Sequence, residues 1–344
     1  MRQRSAAVAL LLAAAGALTA CGGASGGSDS GKPTQVKLGF FPNVTHATAL
    51  VGVEKGIFTK YLGTAPKTAA FNAGPAAVEA LFAKGIDATF VGPNPAINAW
   101  SQSHGQAIKI ISGAASGGAS LVVKPSIRSV ADLKGKEIAT PQLGNTQDVA
   151  ARYYLKQQGL TANKDGSGDV KIVPQENSQT VDTFEQGTID GAWVPEPFAS
   201  RLVIEGKGRR LIDEKNLWPG GTFVTTHLIV RTDFAKDHPD LVKKLVQATV
   251  ESTDYINDNP AEAKSAVNSE LQKLTGKPLQ SDVIDAAFKE ITYTTDPVTS
   301  SLIEGAEHAE QVGLLKPVDL NGIYDLGPLN EVLEANGKAQ VATR

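Results

Sequence analysis

The sequence has little cysteine, few aromatic residues and no excess of positive charge. Cys21 is the only cysteine among 344 residues, so the chain has neither the pair of thiols for an internal disulfide bond nor the several thiolates of a structural zinc site. Aromatic residues make up 6% of the chain, and 33 Lys and Arg residues stand against 36 Asp and Glu residues. This balance predicts no basic surface for a phosphate backbone and argues against nucleic acid as a partner. The length favours a globular protein of two lobes.

The usual sequence motifs of catalysis are also missing. The chain has no Walker A loop, no G-x-S-x-G elbow between a predicted strand and helix, and no G-x-G-x-x-G after a predicted strand. The histidines lack the spacing of a helical metal site; they stand at positions 46, 104, 227, 238 and 308. We therefore expect no enzyme activity, no metal and no cofactor, and favour the capture of a small molecule.

Residues 1–21 have the composition of an export signal. Arg2 and Arg4 precede a small and apolar stretch at residues 6–18, which is shorter than the roughly 20 residues of a membrane-spanning helix. Residues 18–21, Leu-Thr-Ala-Cys, resemble the lipobox of bacterial lipoproteins, in which the cysteine is diacylated and becomes the mature N-terminus.

Lipidation of Cys21 is thus expected, and the alternative is an ordinary secretory signal with a cysteine beside its cleavage site. Residues 22–35 are mostly Gly, Ser, Ala and polar residues, a composition that cannot bury enough apolar area to fold. They are predicted to form a flexible tether between the lipid anchor and the folded body. No later stretch reaches 18 consecutive apolar residues, so no other membrane span is expected.

Apolar residues in the rest of the chain alternate between strand and helix spacing, which predicts an α/β protein with mainly parallel sheets. The segments 83–96 and 185–198 echo each other: both predict a helix end, a Gly, an Ile-Asp pair, a buried strand and a Pro-x-Pro loop. Because ligands bind beyond the carboxyl ends of strands in open α/β sheets, these two loops suggest two lobes facing a cleft. The main predicted helices after residue 140 are 146–158, 179–186, 197–205, 239–257, 260–274, 281–289 and 299–311.

Two loops are suited to binding an oxyanion without a cation. Residues 42–46 join the first strand to its helix and can place Thr45 and His46 over the crevice, although a ring that only bonds a nearby carbonyl is equally expected for the histidine. Residues 142–148 precede a helix with Asn145 or Thr146 as its N-cap, and free first-turn N–H groups and the helix dipole favour an anion there. Many such caps bind nothing.

Three further features are candidates on weaker grounds. The glycines after Ser116 let the backbone approach a ligand closely, or form a simple tight turn. Trp193 ends a predicted strand, where its indole can cover an alkyl group or fill the core. Glu196 is unexpected beside an anion: it either caps the helix that begins at Pro197 and faces away, or accepts an ammonium or N–H group of the ligand.

Five motifs together resemble the substrate-binding lipoproteins of ABC importers, and most closely the aliphatic-sulfonate branch, whose relatives bind taurine, nitrate and pyrimidine vitamin precursors. The resemblance covers residues 36–336. The motifs are LGFFPNVTHA at 38–47, FNAGP at 71–75, GPNPAINA at 92–99, ATPQLGNTQDV at 139–149 and WVPEP at 193–197.

The resemblance implies a two-lobed, type II periplasmic-binding-protein-like fold. Lobe 1 would comprise residues 36–123 and 229–344 and lobe 2 residues 124–228, with hinge strands near 121–124 and 228–231 that allow closure around a ligand. The ligand-binding residues carried over from the family are Thr45, His46, Asn94, Ser116, Gly117, Gln142, Asn145, Thr146, Gln147, Trp193 and Glu196.

The resemblance also implies a monomeric extracytoplasmic receptor that delivers an aliphatic sulfonate to an ABC permease and its ATPase. Nitrate, taurine and pyrimidine or thiamine precursors stay open as ligands, because the Pro-Asn-x-x-His loop at 42–46 also resembles that of pyrimidine-precursor binders. A pyrimidine-synthase-like enzyme is disfavoured, since the cysteine-rich segment of that enzyme is absent and Cys21 is expected to carry lipid. A membrane-coupled sensor is the third alternative.

Overall fold

The computed structural model describes residues 35–342, and the predicted signal segment, Cys21 and nearly all of the predicted tether lie outside the described residues. The first of two sheets has six strands in the spatial order β11-β4-β10-β3-β1-β2. These strands are β1 Lys37–Phe40, β2 Lys67–Ala70, β3 Ala88–Val91, β4 Ile108–Gly117, β10 Val224–Arg231 and β11 Ile291–Tyr293. β1 runs parallel to β2 and β3, whereas β10 is antiparallel to β3 and β4, and β11 to β4.

The second sheet has five strands in the order β7-β6-β8-β5-β9. They are β5 Ala119–Val123, β6 Glu137–Thr140, β7 Lys171–Pro174, β8 Gly191–Pro195 and β9 Arg209–Asp213. β6 is parallel to β7 and β8, and β5 is antiparallel to β8 and β9. The α/β class is confirmed, but both sheets are mixed rather than mainly parallel, because β10 and β11 in the first sheet and β5 in the second run against the other strands.

Thirteen α-helices are present within residues 35–342. They are α1 Ala47–Glu54, α2 Ile57–Leu62, α3 Gly74–Phe82, α4 Pro93–Gln102, α5 Thr146–Gln157, α6 Asn177–Glu185, α7 Phe198–Ile204, α8 Thr232–Asp237, α9 Pro239–Asp258, α10 Pro260–Thr275, α11 Ser281–Lys289, α12 Thr299–Gln311 and α13 Gly327–Ala335. Short 3₁₀ helices occur at Val44–His46, Val130–Leu133, Glu214–Leu217 and Pro219–Gly221. We call the first sheet with α1–α4 and α8–α13 lobe 1, and the second sheet with α5–α7 lobe 2.

The chain passes between the sheets twice. Gly118 separates β4 from β5, and residues 214–223 lead from β9 back to β10. Both passages lie before the segments 121–124 and 228–231 that the resemblance implied. The difference arises because most of each implied segment is paired within a sheet, the former with β8 and β9 and the latter with β3 and β4.

Each lobe has its own apolar core, built from central strands that are buried on both faces. β3 and β8 are buried along their whole length, which is why they read as continuous small and apolar runs rather than as alternating ones. In lobe 1 the long helix α9 buries Leu241, Val242 and Leu245 at helical spacing against α1 and α2. The cores hold the strand ends, and the loops that follow them, in fixed positions.

Candidate functional site

A small pocket lies between the lobes at the carboxyl ends of six strands, β1, β2 and β3 in lobe 1 and β6, β7 and β8 in lobe 2. Its volume is about 20 Å³, close to what one or two ordered waters need, so the lobes are nearly closed on each other. The loops of both echoed segments reach it, through Gly92 and Pro95 in lobe 1 and Pro195 in lobe 2. The full lining is Phe41, Asn43, Thr45, His46, Asn72, Ala73, Gly74, Gly92, Pro95, Pro141, Asn145, Thr146, Gln147, Asn177, Pro195 and Thr225.

The pocket is lined by uncharged groups. No Lys, Arg, Asp or Glu belongs to the described lining, and burial lowers the pKa of His46 to about 3, so the imidazole is neutral at physiological pH. Helices α3, α4, α5 and α6 all begin at the pocket, which is lined at their N-termini by Gly74, Gly92, Thr146 and Asn177. Because the N-terminus of a helix carries a partial positive charge and free N–H groups, this arrangement favours an anion.

The start of α5 leaves hydrogen-bond donors unused. Asn145 caps the helix by accepting the Asp148 N–H at 2.9 Å, whereas the backbone N–H groups of Thr146 and Gln147 make no hydrogen bond within residues 35–342. The Thr146 hydroxyl is buried and also lacks a partner in this part of the chain. A buried polar atom without a partner is costly, so these three groups are available to bond to a ligand or to ordered water.

A buried ion pair holds this helix start in place. The Asp148 carboxylate accepts the Thr140 hydroxyl at 3.0 Å and the Gly144 N–H at 2.9 Å, and it pairs with Arg152 at 3.1 Å. Both side chains of the pair are at most 2% exposed. The pair ties the end of β6 to the first two turns of α5 and thereby fixes where the unused donors lie.

His46 is fixed with one ring nitrogen free. Its Nδ1 accepts the Phe41 N–H at 3.2 Å and its ring stacks on the Phe41 ring at 4.2 Å between centroids. The ring hydrogen of the neutral imidazole is therefore assigned to Nε2. Nε2 makes no hydrogen bond within the described residues and is a fourth available donor. Thr45 donates its hydroxyl to Asn43 at 2.8 Å and retains acceptor capacity.

Two asparagines that sequence reasoning did not select link the lobes at one side of the pocket. Asn72 of lobe 1 donates its Nδ2 to the Pro141 carbonyl at 3.0 Å and accepts the Asn177 N–H of lobe 2 on its Oδ1 at 3.0 Å. The Oδ1 of Asn177 is buried without a partner in the described chain. The available signal was positional: Asn72 follows a strand and precedes a proline-initiated helix, in a motif already noted for its resemblance.

Gly92 lets the lobes approach each other closely. A Cβ atom on this residue would lie 2.3 Å from the Thr146 hydroxyl of the opposite lobe. The φ of Gly92 is −69°, so the position does not need glycine for its backbone conformation. Space between the lobes, rather than backbone geometry, is what requires a residue without a side chain here.

The structure brings Thr45, His46, Asn145, Thr146 and Gln147 together in the pocket, and places the other predicted site residues outside its lining. Four of these other residues take part in hydrogen bonds or strand pairing within the protein. Asn94 donates to the Gly305 carbonyl at 2.9 Å; Ser116 is paired in β4; Gly117 accepts the Thr225 hydroxyl at its carbonyl; Gln142 accepts the Asn145 N–H at its carbonyl.

Trp193 and Glu196 also lie outside the pocket lining. The Trp193 indole is 1% exposed in the core of lobe 2 and donates to Glu214 at 2.7 Å, so it does not cover a guest in the pocket. Glu196 caps the Ser200 N–H at 3.0 Å and pairs with Arg210 at 2.9 Å, which matches the first of its two expected roles. Burial raises the pKa of Glu196, and the Arg210 charge opposes that effect.

Two further properties concern the described part of the chain only. Within residues 35–342 no helix has the length and apolar character to cross a bilayer. In the same range no three His, Cys, Asp or Glu side chains are grouped so that they could hold a metal ion.

The fold and the pocket define a class of protein. Two mixed α/β sheets whose strand ends face a small pocket between them form the periplasmic-binding-protein fold, and solved structures share it. The alkanesulfonate-binding protein SsuA from Xanthomonas axonopodis pv. citri matches with a TM-score of 0.69 at 19% identity, covering 83% of this chain and 96% of SsuA. The periplasmic nitrate-binding protein NrtA from Synechocystis PCC 6803 matches with a TM-score of 0.75 at 18% identity, covering 88% and 89%.

The chain belongs to the NMT1-like family, whose model matches residues 29–269. Among its relatives is the taurine-binding periplasmic protein of Escherichia coli K12, which is 28% identical over 281 residues, or 78% of this chain and 85% of the relative. The family resemblance predicted from the five sequence motifs is thereby confirmed.

Proposed function

We propose that this protein is the extracytoplasmic solute-binding lipoprotein of an ABC importer and that it binds a small aliphatic sulfonate between its lobes. The observation that carries the proposal is a nearly closed pocket with unused N–H and O–H donors and no charged side chain in its described lining. These donors match a small, weakly basic oxyanion, and the lobes would have to part to admit it, because the pocket has room for only one or two waters. The taurine and alkanesulfonate names of its relatives support the same ligand class.

Binding would use dipoles in place of a cation. The sulfonate oxygens would accept from the Thr146 N–H and hydroxyl, the Gln147 N–H and the Nε2–H of His46, while four helix N-termini stabilise the negative charge. Hydrogen bonds to charged groups contribute about 1.5–3 kcal/mol each. Because the donors come from both lobes, the ligand would favour the closed arrangement.

The apolar part of the lining suits an alkyl group. Phe41, Ala73, Pro95, Pro141 and Pro195 line the same pocket as the donors, and they take the role that sequence reasoning assigned to Trp193. Their presence is the reason to prefer an alkanesulfonate to nitrate, which has no apolar part to bury.

Export, lipidation at Cys21 and delivery to a permease complete the proposal. A periplasmic relative supports a location outside the cytoplasm, and the Leu-Thr-Ala-Cys sequence supports the anchor. A Cys21→Ser variant should lose incorporation of labelled palmitate and leave the membrane fraction. If the variant remains labelled and membrane-bound, the anchor assignment is wrong.

Calorimetry with the purified protein tests the ligand. Ethanesulfonate, propanesulfonate, taurine, nitrate and a hydroxymethylpyrimidine are titrated in turn, and at least one sulfonate should bind with a Kd in the micromolar range or below. Thr146→Val provides the site control, since it should weaken the binding of every oxyanion. Tight binding of nitrate or the pyrimidine without a response to any sulfonate would refute the sulfonate assignment.

A further inference from the structure

A second crevice adjoins the oxyanion pocket at Thr146. This residue lines both the pocket and the crevice, whose volume of about 10 Å³ is close to the room that one water or ammonium group needs. Val149 and Phe223 line this crevice with apolar atoms, and Glu214 and His308 line it as well. The same Glu214 and His308 line an outer pocket of about 380 Å³ beyond it.

Glu214 is a buried carboxyl group without a cationic partner. It is 1% exposed, accepts the Trp193 indole N–H at 2.7 Å, and forms no salt bridge in the described chain. No Lys or Arg lines either the crevice or the outer pocket. Burial raises the pKa of Glu214 to about 7; hydrogen bonds from the side chains of Trp193 and Trp218 oppose this rise, and the neighbouring Asp213 adds to it. A buried carboxylate is normally paired, so this one lacks its usual counter-charge.

Aromatic rings surround the same space. The His308 ring of lobe 1 stacks on the Tyr153 ring of lobe 2 at 3.6 Å, and the Trp218 ring lies 5.2 Å from His308. Burial lowers the pKa of His308 to about 4, so it brings no positive charge at neutral pH. Aromatic faces together with a carboxylate are the chemistry that proteins use for ammonium groups. Hydrogen-bond donors and helix N-termini thus line the pocket, and a carboxyl group lines the crevice that shares Thr146 with it.

We infer that Glu214 is a specificity-determining residue that binds a positively charged or N–H-bearing far end of the ligand while the oxyanion occupies the pocket at Thr146. This inference rests on the proposed sulfonate binding and deepens it. The preferred guest would be a zwitterion with its ammonium group a few bonds from the sulfonate, rather than a plain alkanesulfonate. Trp193 contributes indirectly, because its indole N–H holds the Glu214 carboxyl in place.

The test compares ligands of matched length by calorimetry at pH 7.5. Taurine and propanesulfonate differ only in an ammonium group against a methyl group, and 3-aminopropanesulfonate and butanesulfonate form the next pair. The unchanged protein should bind the amino member of at least one pair 10-fold or more tightly. Glu214→Gln, which keeps an acceptor for the Trp193 N–H, should weaken the amino ligand by 10-fold or more and change its alkyl partner by less than threefold.

Glu304→Gln is the matched control, because Glu304 lines only the outer pocket and is partly exposed; its effect should stay below twofold. Equal binding of both members of each pair by the unchanged protein would overturn the role of Glu214 while leaving sulfonate binding intact, and this outcome needs no folded variant. An equal loss for both members in Glu214→Gln would overturn it as well. Failure of all four sulfonates would instead refute the proposed function itself.

Discussion

Replacing Thr146 by valine separates a ligand-binding role from a structural role, because the two predict opposite results. The Thr146 hydroxyl is buried and unpartnered in the described chain, so the substitution removes a group whose burial costs about 1–3 kcal/mol and keeps the shape of the side chain. Without ligand, the free energy of unfolding should stay unchanged or rise by about 1 kcal/mol. With a sulfonate, the lost hydrogen bond to a charged group should cost about 1.5–3 kcal/mol, which corresponds to roughly 10- to 150-fold weaker binding.

Urea unfolding gives the first quantity and calorimetry with a bound sulfonate the second. Thr232→Val is the matched control: its hydroxyl is also buried without a partner in residues 35–342, but it lies at the start of α8 and is absent from the pocket lining. The control should leave affinity within twofold. A Thr146→Val protein that is destabilised and binds with unchanged affinity would refute the reasoning.

Three further predictions follow from contacts near the pocket and in the cores. Asn72→Ala removes two hydrogen bonds between the lobes, worth about 0.5–1.5 kcal/mol each, and should speed ligand dissociation roughly 5- to 100-fold in stopped-flow measurements; an unchanged rate would contradict the role of Asn72 in closure. Arg152→Met leaves the Asp148 charge buried and unpaired and should lower the free energy of urea unfolding by about 3–5 kcal/mol, and a loss below 1 kcal/mol would contradict it. Burial lowers the pKa of His46 to about 3 and those of His227 and His308 to about 4, so the unfolded chain takes up protons that the folded chain does not as the pH falls below 6.5, whereas the raised pKa of Glu214 acts in the opposite direction. Urea unfolding of the Glu214→Gln protein between pH 6.5 and 4 should therefore show a loss of up to about 1.4 kcal/mol per pH unit for each of these histidines, and a flat profile would count against this.

Local patterns in the sequence predicted the helices better than the edge strands. The predicted helices 281–289 and 299–311 have the same bounds as α11 and α12, since apolar spacing and flanking residues act within the helix itself. β9 and β11 were not predicted. β9 is a charged segment with mixed burial that is extended because it pairs with β5, and β11 has three residues, so neither carries a pattern long enough to read.

The pocket residues that the sequence predicted are likewise those with a local signal, and the ones it missed depend on how the two lobes pack. Asn145 and Thr146 were found because an N-cap is a local signal that also implies free N–H groups. Asn72 and Asn177 were missed because their contact exists only where the two lobes meet, 105 residues apart in sequence. Trp193 was assigned to the ligand because it stands at a strand end, but which face of a buried strand a side chain occupies is decided by the packing of the lobe and not by that position.

Because Gly92 has no side chain, a substitution at this position should keep the two lobes from closing fully. One methyl group there would press on Thr146 across the interface without disturbing the local chain, and so act as a wedge between two otherwise unaltered halves. Such a form would allow the surfaces of the unliganded protein to be studied, and its binding to the proposed permease would reveal whether that permease recognises only the closed form of this protein or any form of it.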